Sequence, residues 1–293
     1  MRRTKITATL GALGLATVLA ACGGDGGGED VPVAEDVQFD EGTTMARIVE
    51  AGTLRVGTKF DQPGFGLVGL EDAPEGFDVE VAKIIAGGLG LTEDDIEWTE
   101  APSAVREQLI QRGDVDLVAA TYTINDDRKE LISFAGPYYV AGQQLMVRAD
   151  DDTINGPDDI AANPDMKVCS VDGSTPAANI QEYLAAPNQL VTFDVYDRCA
   201  DSLSNGQVDI VTTDNVILLG FVDSSDGEFK LVGEQFTEEP YGIGITKGDV
   251  EFCEFINQTL RDNEDAYNDA WARTAGEVEG TEAPELPEPD TCS

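Results

Sequence analysis

Two segments of this chain combine residue types and spacing suited to binding an anion. Arg128 follows an apolar strand and Thr123, and its planar guanidinium can bind a carboxylate through two parallel hydrogen bonds. Ser174 and Thr175 precede Pro176 at the predicted start of a helix, where free N–H groups and the positive end of the helix dipole attract anions. The alternatives are a solvated cation at Arg128 and plain N-capping by Ser174.

An acidic side chain follows another apolar strand. Asp214 comes just after residues 208–212, at the carboxyl end of a predicted strand, which is where ligands bind in open α/β sheets. Its carboxylate suits an ammonium group; the alternative is that it caps the helix predicted over residues 215–219. The chain therefore offers groups of both charge signs at predicted strand ends.

The composition excludes several kinds of chemistry. The chain has 18 Lys+Arg, 57 Asp+Glu and no His in 293 residues, which gives a formal net charge of −39. Nucleic acids and anionic membrane surfaces need clustered positive charge, so we expect neither as a partner. Without His, neither a Ser-His-Asp triad nor a His-bound zinc site can be built. No Gly-x-x-x-x-Gly-Lys-Ser/Thr phosphate loop occurs, and we expect no cofactor and no metal.

The first 42 residues indicate an exported, lipid-anchored protein. Residues 1–21 begin with three cations and continue as an apolar run, which is the layout of a signal peptide; a permanent membrane span is the weaker alternative because the run is short. The ending Leu-Ala-Ala-Cys resembles a bacterial lipobox, which implies cleavage before Cys22 and a diacylglycerol on its sulfur. Residues 22–42 are rich in Gly, Asp and Glu and are predicted to be a flexible tether.

Four cysteines remain outside the lipobox. An even number in an oxidising compartment predicts disulfides, although three pairings are open. We prefer Cys169 with Cys199 and Cys253 with Cys292, since each pair then lies within one proposed folding unit.

Short apolar strands alternate with amphipathic helices along the chain, which predicts a parallel α/β architecture. One such helix is expected over residues 103–111, with Val105, Leu109 and Ile110 on its buried face. The segment 113–118 is echoed by 206–211, which indicates two similar lobes. The last residues, 275–293, form an acidic, Pro-containing tail.

Four stretches together resemble the polar amino acid family of type II periplasmic binding proteins, the extracellular binding components of ABC importers. They are Gly-Thr-Lys-Phe-Asp-Gln-Pro at 57–63, Gly-Phe-Asp-Val-Glu-Val-Ala at 76–82, Ala-Thr-Tyr-Thr-Ile-Asn-Asp-Asp-Arg at 120–128 running into Phe-Ala-Gly-Pro-Tyr-Tyr at 134–139, and Asp-Gly-Ser-Thr at 172–175. The likeness spans about residues 43–274 and is greatest to glutamate and aspartate binders of actinobacterial type.

The resemblance implies a two-lobed clamshell that closes around its ligand. Residues 43–140 and 238–274 would form lobe 1, and residues 141–237 would form lobe 2. Two strands, near residues 139–146 and 241–245, are expected to cross between the lobes, and the ligand would hold the lobes together.

The resemblance also assigns roles to individual residues. The α-carboxylate of the ligand is expected at Thr123, Arg128, Ser174 and Thr175. The ammonium is expected at Asp214 and the carbonyl of Thr121. The side-chain carboxylate is expected at Lys59, Ser103 and Arg106. The last two have the Ser-x-x-Arg spacing of acidic amino acid binders; the alternative for Arg106 is an ordinary surface residue of its helix.

The expected protein is a lipid-anchored monomer on the extracellular face of the membrane, not an enzyme. It would capture free L-glutamate or L-aspartate and deliver it to the permease subunits of an ABC importer. The alternatives are a ligand-binding subunit of a membrane sensor, a binder of glutamine or asparagine, and an enzyme built on the same fold.

Overall fold

The computed structural model describes residues 31–70 and 73–293; the predicted signal peptide, Cys22 and the first part of the tether lie outside them. The helices in these ranges are α1 (Thr44–Ala51), α2 (Phe77–Gly88), α3 (Arg106–Arg112), α4 (Asp126–Leu131), α5 (Asp158–Ala162), α6 (Thr175–Asn179), α7 (Tyr196–Ser204), α8 (Asn215–Ser224), α9 (Val250–Asp262) and α10 (Glu264–Ala272). The strands are β1 (Leu54–Thr58), β2 (Asp61–Gln62), β3 (Gly66–Val68), β4 (Pro74–Glu75), β5 (Ile96–Glu100), β6 (Leu117–Val118), β7 (Ser133–Ala141), β8 (Gln143–Arg148), β9 (Val168–Val171), β10 (Leu190–Phe193), β11 (Ile210–Asp214), β12 (Phe229–Val232) and β13 (Glu239–Ile245).

Two five-stranded sheets with the same arrangement form the centres of two lobes. The first has the order β5-β1-β6-β13-β7 and the second β10-β9-β11-β8-β12. In each sheet three parallel strands are followed by a fourth that runs antiparallel to them, and an edge strand pairs antiparallel with the fourth. The predicted α/β clamshell class is therefore confirmed. β2, β3 and β4 form a small third sheet on the first lobe.

The echoed segments occupy equivalent positions in the two sheets. Gly113 (φ 68°) follows α3 and precedes β6, and Gly206 (φ 69°) follows α7 and precedes β11. Both adopt the left-handed backbone conformation that glycine accepts without strain. Each then leads into the central strand of its sheet.

The chain passes twice between the sheets. The first passage is at Gly142, between β7 and β8, inside the range expected from the sequence. The second is at residues 233–238, between β12 and β13. The expected second crossing at residues 241–245 was wrong, because β13 pairs along its length with β7 and β6 within the first sheet.

The helix expected over residues 103–111 begins only at Arg106. Residues before it form a turn in which the Val105 N–H donates to the carbonyl of Pro102. Val105 is consequently 38% exposed, so its predicted place on the buried face was wrong, whereas Ile110 is buried. The turn leaves Ser103 and Arg106 at the edge of the sheet instead of on successive helical turns.

Aromatic side chains fill the core of the first lobe. Phe77 makes edge contacts with Tyr267 and Trp271, and Trp271 stacks on Tyr139. The second lobe has its own cores, made mainly of aliphatic residues, on the two faces of its sheet. Among the described residues no helix is long and apolar enough to cross a membrane.

Each lobe contains one disulfide, and the pairing is the one preferred from the sequence. Cys169 is bonded to Cys199 in the second lobe, and Cys253 to Cys292 in the first. The second bond attaches the C-terminal tail to α9, and the Asp290 N–H of the tail also donates to the Gly136 carbonyl of β7 at 2.7 Å. The tail is thus a covalently attached part of the first lobe.

We predict that only the disulfide between Cys253 and Cys292 holds the C-terminal tail in place. Replacing both Cys253 and Cys292 by Ser should lower the free energy of unfolding by about 2–4 kcal/mol, because an unfolded chain with one closed loop fewer has more conformational freedom. It should also make the tail susceptible to limited proteolysis, measured by intact mass. The matched control, Cys169→Ser with Cys199→Ser, should cost similar stability and leave the tail resistant; equal tail cleavage in both variants would contradict the prediction.

Candidate functional site

The carboxyl ends of the parallel strands in the two sheets face each other across a small cavity. The empty space between its walls, including the part open to solvent, is about 220 Å³. Its walls come from both lobes and consist of Ser103, Arg106, Thr121, Thr123, Ser174, Thr175, Pro176, Tyr196, Thr213, Asp214 and Ile217. Seven of the nine residues expected to bind ligand are among them; the other two, Lys59 and Arg128, lie beside it.

Two arginines of the first lobe are held against one tyrosine ring. The guanidinium carbon of Arg106 lies 3.7 Å from the centre of the Tyr122 ring, and that of Arg128 lies 4.9 Å from it. The negative face of the ring attracts both cations. Arg106 is only 2% exposed, so the alternative of an ordinary surface residue is wrong.

Arg106 lacks a carboxylate partner among the described residues. Its Nη1 donates to the Ala120 carbonyl at 2.8 Å, and its buried Nε has no partner. A buried donor without an acceptor is costly. The unused N–H group of this cavity-lining cation is therefore positioned to bind an acceptor.

Lys59 lies behind Ser103 and does not line the cavity. Its Nζ donates to Ser103 Oγ at 2.9 Å, and its side chain is buried. Burial, together with the nearby charge of Arg106, lowers the pKa of Lys59 to about 7. Lys59 can thus act on the cavity through the Ser103 hydroxyl and through its charge.

Arg128 joins the two lobes. Its Nη1 donates to the Thr123 carbonyl at 2.6 Å, and its Nη2 donates to the carbonyl of Gly173, in the other lobe, at 3.2 Å. Glu107 is 3.4 Å from its Nε. Burial and the charge of Arg106 lower the pKa of Arg128 to about 10. Arg128 is buried, so the alternative of a solvated cation is wrong.

The loop before α6 approaches the first lobe closely. Gly173 has φ 72°, and a Cβ there would lie 2.7 Å from Ala104 Cα. Ser174 Oγ caps the helix by accepting from the Ala177 N–H at 3.1 Å, as the capping alternative expected. Thr175 Oγ1 is buried and has no partner, so this hydroxyl is available to a molecule in the cavity.

Asp214 does not cap the helix that follows it. Its Oδ2 accepts from the Tyr241 hydroxyl at 2.6 Å, and its Oδ1 is buried without a partner. Burial, together with the charge of Glu239, raises the pKa of Asp214 to about 7. A cation placed at Oδ1 would lower the pKa of Asp214 again. The capping alternative for Asp214 was therefore wrong.

The backbone at Thr121 is strained and is held from behind. Thr121 has φ 44°, which non-glycine residues seldom adopt. Its N–H donates to Asp78 Oδ2 at 2.7 Å and its hydroxyl to Gln62 Oε1 at 3.0 Å. Burial raises the pKa of Asp78 to about 7, although the hydrogen bonds from Tyr138 and Thr121 act to lower it. Asp78 and Gln62 thus position the edge on which Arg106 and Thr123 lie.

Sequence reasoning missed several residues of the site. Tyr196 and Thr213 line the cavity from the second lobe, and Asp78 supports it from the first. Thr213 directly precedes Asp214, so the strand-end signal used for Asp214 could have included it. Tyr196 follows β10 in the same way, but nothing in the sequence marks that strand as adjacent to the site.

The cavity combines cationic donors from the first lobe with an acidic acceptor from the second. Arg106 and Arg128 lie on one side and Asp214 on the other, with threonine and serine hydroxyls between them. Among residues 31–70 and 73–293 no group of three or more acidic or cysteine side chains is placed to hold a metal. The arrangement is suited to binding a small zwitterion.

Comparison with known proteins agrees with this geometry. The sequence profile of the bacterial extracellular solute-binding proteins, family 3, matches residues 54–269. The glutamate-binding protein GluB of Corynebacterium glutamicum is 42% identical over 267 residues, covering 88% of this chain and 85% of that protein. A glutamine-binding protein of Geobacillus stearothermophilus is 35% identical over 257 residues, covering 87% of this chain and 96% of that protein.

A solved structure supports the same relationship. An ancestral arginine-binding protein bound to glutamine superposes with a TM-score of 0.70 and 33% identity, covering 78% of this chain and 99% of that one. The chain therefore belongs to family 3 of the bacterial extracellular solute-binding proteins. Its relatives are amino-acid-binding proteins and not enzymes, which confirms that part of the sequence interpretation.

The buried Lys59 predicts a characteristic pH dependence of stability in the ligand-free protein. Its pKa is about 7 when folded and about 10.4 when unfolded, so the unfolded chain binds more protons between these values and stability rises with pH there. Lys59→Met should be more stable than the wild type at pH 7. We expect that advantage to shrink by roughly 3–4 kcal/mol by pH 10, measured by urea unfolding.

Lys83 provides the matched control. It forms salt bridges with Glu80 and Glu93 that raise its pKa, so its contribution is stabilising and persists throughout this pH range. Lys83→Met should therefore be less stable than the wild type by a nearly constant amount from pH 7 to 10. A constant difference for Lys59→Met as well would show that Lys59 is not a buried, destabilised cation.

Proposed function

We propose that this family member binds an acidic amino acid, L-glutamate or L-aspartate, outside the cell and delivers it to an ABC importer. The observation that carries the proposal is the buried Arg106, which lines the cavity with an unpartnered Nε and has Lys59 and Ser103 beside it. Two buried cations without a carboxylate partner among the described residues favour a ligand with an anionic side chain.

The remaining groups suit the part common to all amino acids. Arg128, Thr123, Ser174 and Thr175 would bind the α-carboxylate, because they bring a guanidinium and hydroxyl groups to one end of the cavity. Asp214 Oδ1, with the Thr121 carbonyl, would accept from the ammonium. Such a ligand would shift Lys59 and Asp214 towards their charged forms, since each would gain an opposite charge nearby.

The relatives support this choice and also define the alternative. GluB carries the name of a glutamate binder, whereas the Geobacillus protein is named for glutamine. Glutamine has nearly the shape of glutamate but no side-chain charge. It would leave Arg106 and Lys59 buried without an anion, which costs roughly 2–5 kcal/mol.

The test is calorimetric titration of the purified extracellular part, freed of copurified ligand, with glutamate, aspartate, glutamine, asparagine and arginine. We expect micromolar or tighter binding of one or both acids. Glutamine should bind at least about 25-fold more weakly, because each 1.4 kcal/mol is a factor of ten. Preference for an amide or for arginine would contradict the assignment of Arg106 and Lys59.

Two variants separate the side-chain pocket from the α-carboxylate site. Arg106→Gln should weaken glutamate binding far more than glutamine binding, so that the ratio of the two affinities falls towards one. Arg128→Lys keeps the charge but loses the planar fork, and should weaken both ligands by a similar factor. If Arg106→Gln left the ratio unchanged, another group would have to select the side chain.

Anchoring is the second part of the proposal. The lipobox ending at Cys22 and the Gly-rich residues that follow favour a lipid-anchored protein tethered close to its permease. Cys22→Ser expressed in an actinobacterial host should lose incorporation of labelled palmitate and shift from the membrane fraction to the medium. The double variant Cys253→Ser with Cys292→Ser, which removes cysteines outside the lipobox, should remain in the membrane fraction. Palmitate labelling of Cys22→Ser at the wild-type level would refute the anchor.

A further inference from the structure

The segment of residues 61–63 extends from the first lobe and docks on the second. Asp61 Oδ2 accepts a hydrogen bond from the backbone N–H of Tyr196 at 2.6 Å. Next to this bond, the Pro63 carbonyl lies against Gly220 of α8, where a Cβ would come within 2.6 Å of it. Both contacts join the two lobes, as the bond from Arg128 to the Gly173 carbonyl also does.

Tyr196 is the first residue of α7, and this helix has no cap of its own. The residue before it, Val195, stands at the N-cap position and makes no side-chain hydrogen bond to the helix. The first backbone N–H groups of a helix have no partner within it, and an apolar residue at this position cannot supply one. Asp61 is only 4% exposed. It therefore caps the N-terminus of α7 from a distant part of the chain, a role that an Asp or Ser just before the helix usually has.

The charge of Asp61 adds to the contact. A carboxylate at a helix N-terminus is stabilised by the positive end of the helix dipole. The like charge of Asp197, the second residue of α7, opposes this stabilisation. Burial and the charge of Asp61 raise the pKa of Asp197 to about 6. The proximity of these two carboxylates shows how closely the helix end approaches the first lobe.

The capping bond also touches the cavity. The side chain of Tyr196 lines the cavity beside Asp214 and Thr213, while its backbone N–H is bonded to Asp61. Asp61 itself does not line the cavity. The bond thus connects the position of the second lobe to a wall of the binding site without contact between Asp61 and the ligand.

We propose that Asp61 is an N-terminal cap supplied across the cleft, formed only when the lobes close, and that it sets the affinity and dwell time of the bound amino acid. The proposal rests on the proposed function for the identity of the ligand. When the lobes separate, water replaces Asp61 as the partner of the Tyr196 N–H. The hydrogen bond to Asp61 therefore stabilises only the closed state. Asp61 is a positioning residue: it acts on the ligand through the closed conformation.

The test compares three single substitutions in the protein whose ligand preference has been established by the calorimetric panel. Asp61→Ala removes both the acceptor and the charge, whereas Asp61→Asn removes the charge but keeps a side-chain oxygen. The difference between them isolates the cap from the effect of the Asp61 charge on Lys59. The control is Asp249→Ala, because Asp249 caps α9 within the first lobe by accepting from the Phe252 N–H at 3.1 Å.

We expect Asp61→Ala to bind glutamate roughly 2- to 30-fold more weakly than Asp61→Asn, the range that follows from the usual effect of losing a cap. The loss should appear mainly as faster dissociation in stopped-flow measurements. Asp249→Ala should lower the melting temperature but leave affinity and dissociation rate unchanged. Equal affinities and dissociation rates for the two Asp61 variants would overturn the proposal.

Small-angle scattering separates failure of this proposal from failure of the proposed function. Asp61→Ala should have a larger radius of gyration than Asp61→Asn and Asp249→Ala, because its lobes are closed for a smaller share of the time. If the wild type binds none of the five amino acids, the proposed function fails, yet this comparison still tests the cap. Identical scattering from the three variants would then overturn the cap.

Discussion

The site depends on burying positive charges next to one another at a sheet edge. Arg106 and Arg128 lie against the ring of Tyr122, and Lys59 is close enough for both to lower its pKa. Like charges in a poorly solvated region repel, and each also loses its hydration. Backbone carbonyls and one aromatic face compensate only in part. The lobe is therefore built to hold positive charge that an anion can balance.

Holding this cluster determines the local backbone. The carbonyls of Ala120 and Thr123 accept from Arg106 and Arg128, so the segment between them must follow the sheet edge closely. Thr121 adopts a strained conformation there, and the buried Asp78 accepts its N–H. Asp78 is thus an acidic group behind the cations, where it supports the backbone without lining the cavity. The opposing lobe adds the Asp214 carboxylate at the other end, which gives the cavity two poles.

The sequence predicted the architecture and the strand-end residues of the cavity from local patterns, whereas Ser103, Arg106 and Thr121 were expected from the family resemblance. Strand ends followed by polar residues predicted Asp214 and the start of α6, and the echo around Gly113 and Gly206 predicted two equivalent sheets. Contacts between distant segments left no such pattern. The bond from Asp61 to Tyr196 joins residues 135 positions apart, and neither residue type nor spacing indicates it. Lys59 was expected to contact the ligand, but its ammonium donates to Ser103 Oγ and its side chain does not line the cavity.

A chain with a net charge of −39 would be expected to repel an anion, and the site shows why it need not. Charges on the surface are screened over about 8 Å at physiological ionic strength, so most of the acidic residues act weakly on a molecule already in the cleft. The cations of the site are buried and are screened far less. The net charge of the protein therefore affects solubility and the first approach of a ligand. The few buried groups determine whether the bound ligand is an anion or a cation. This difference between surface and buried charges explains why the acidic composition excluded nucleic acids as partners but did not exclude an acidic amino acid as ligand.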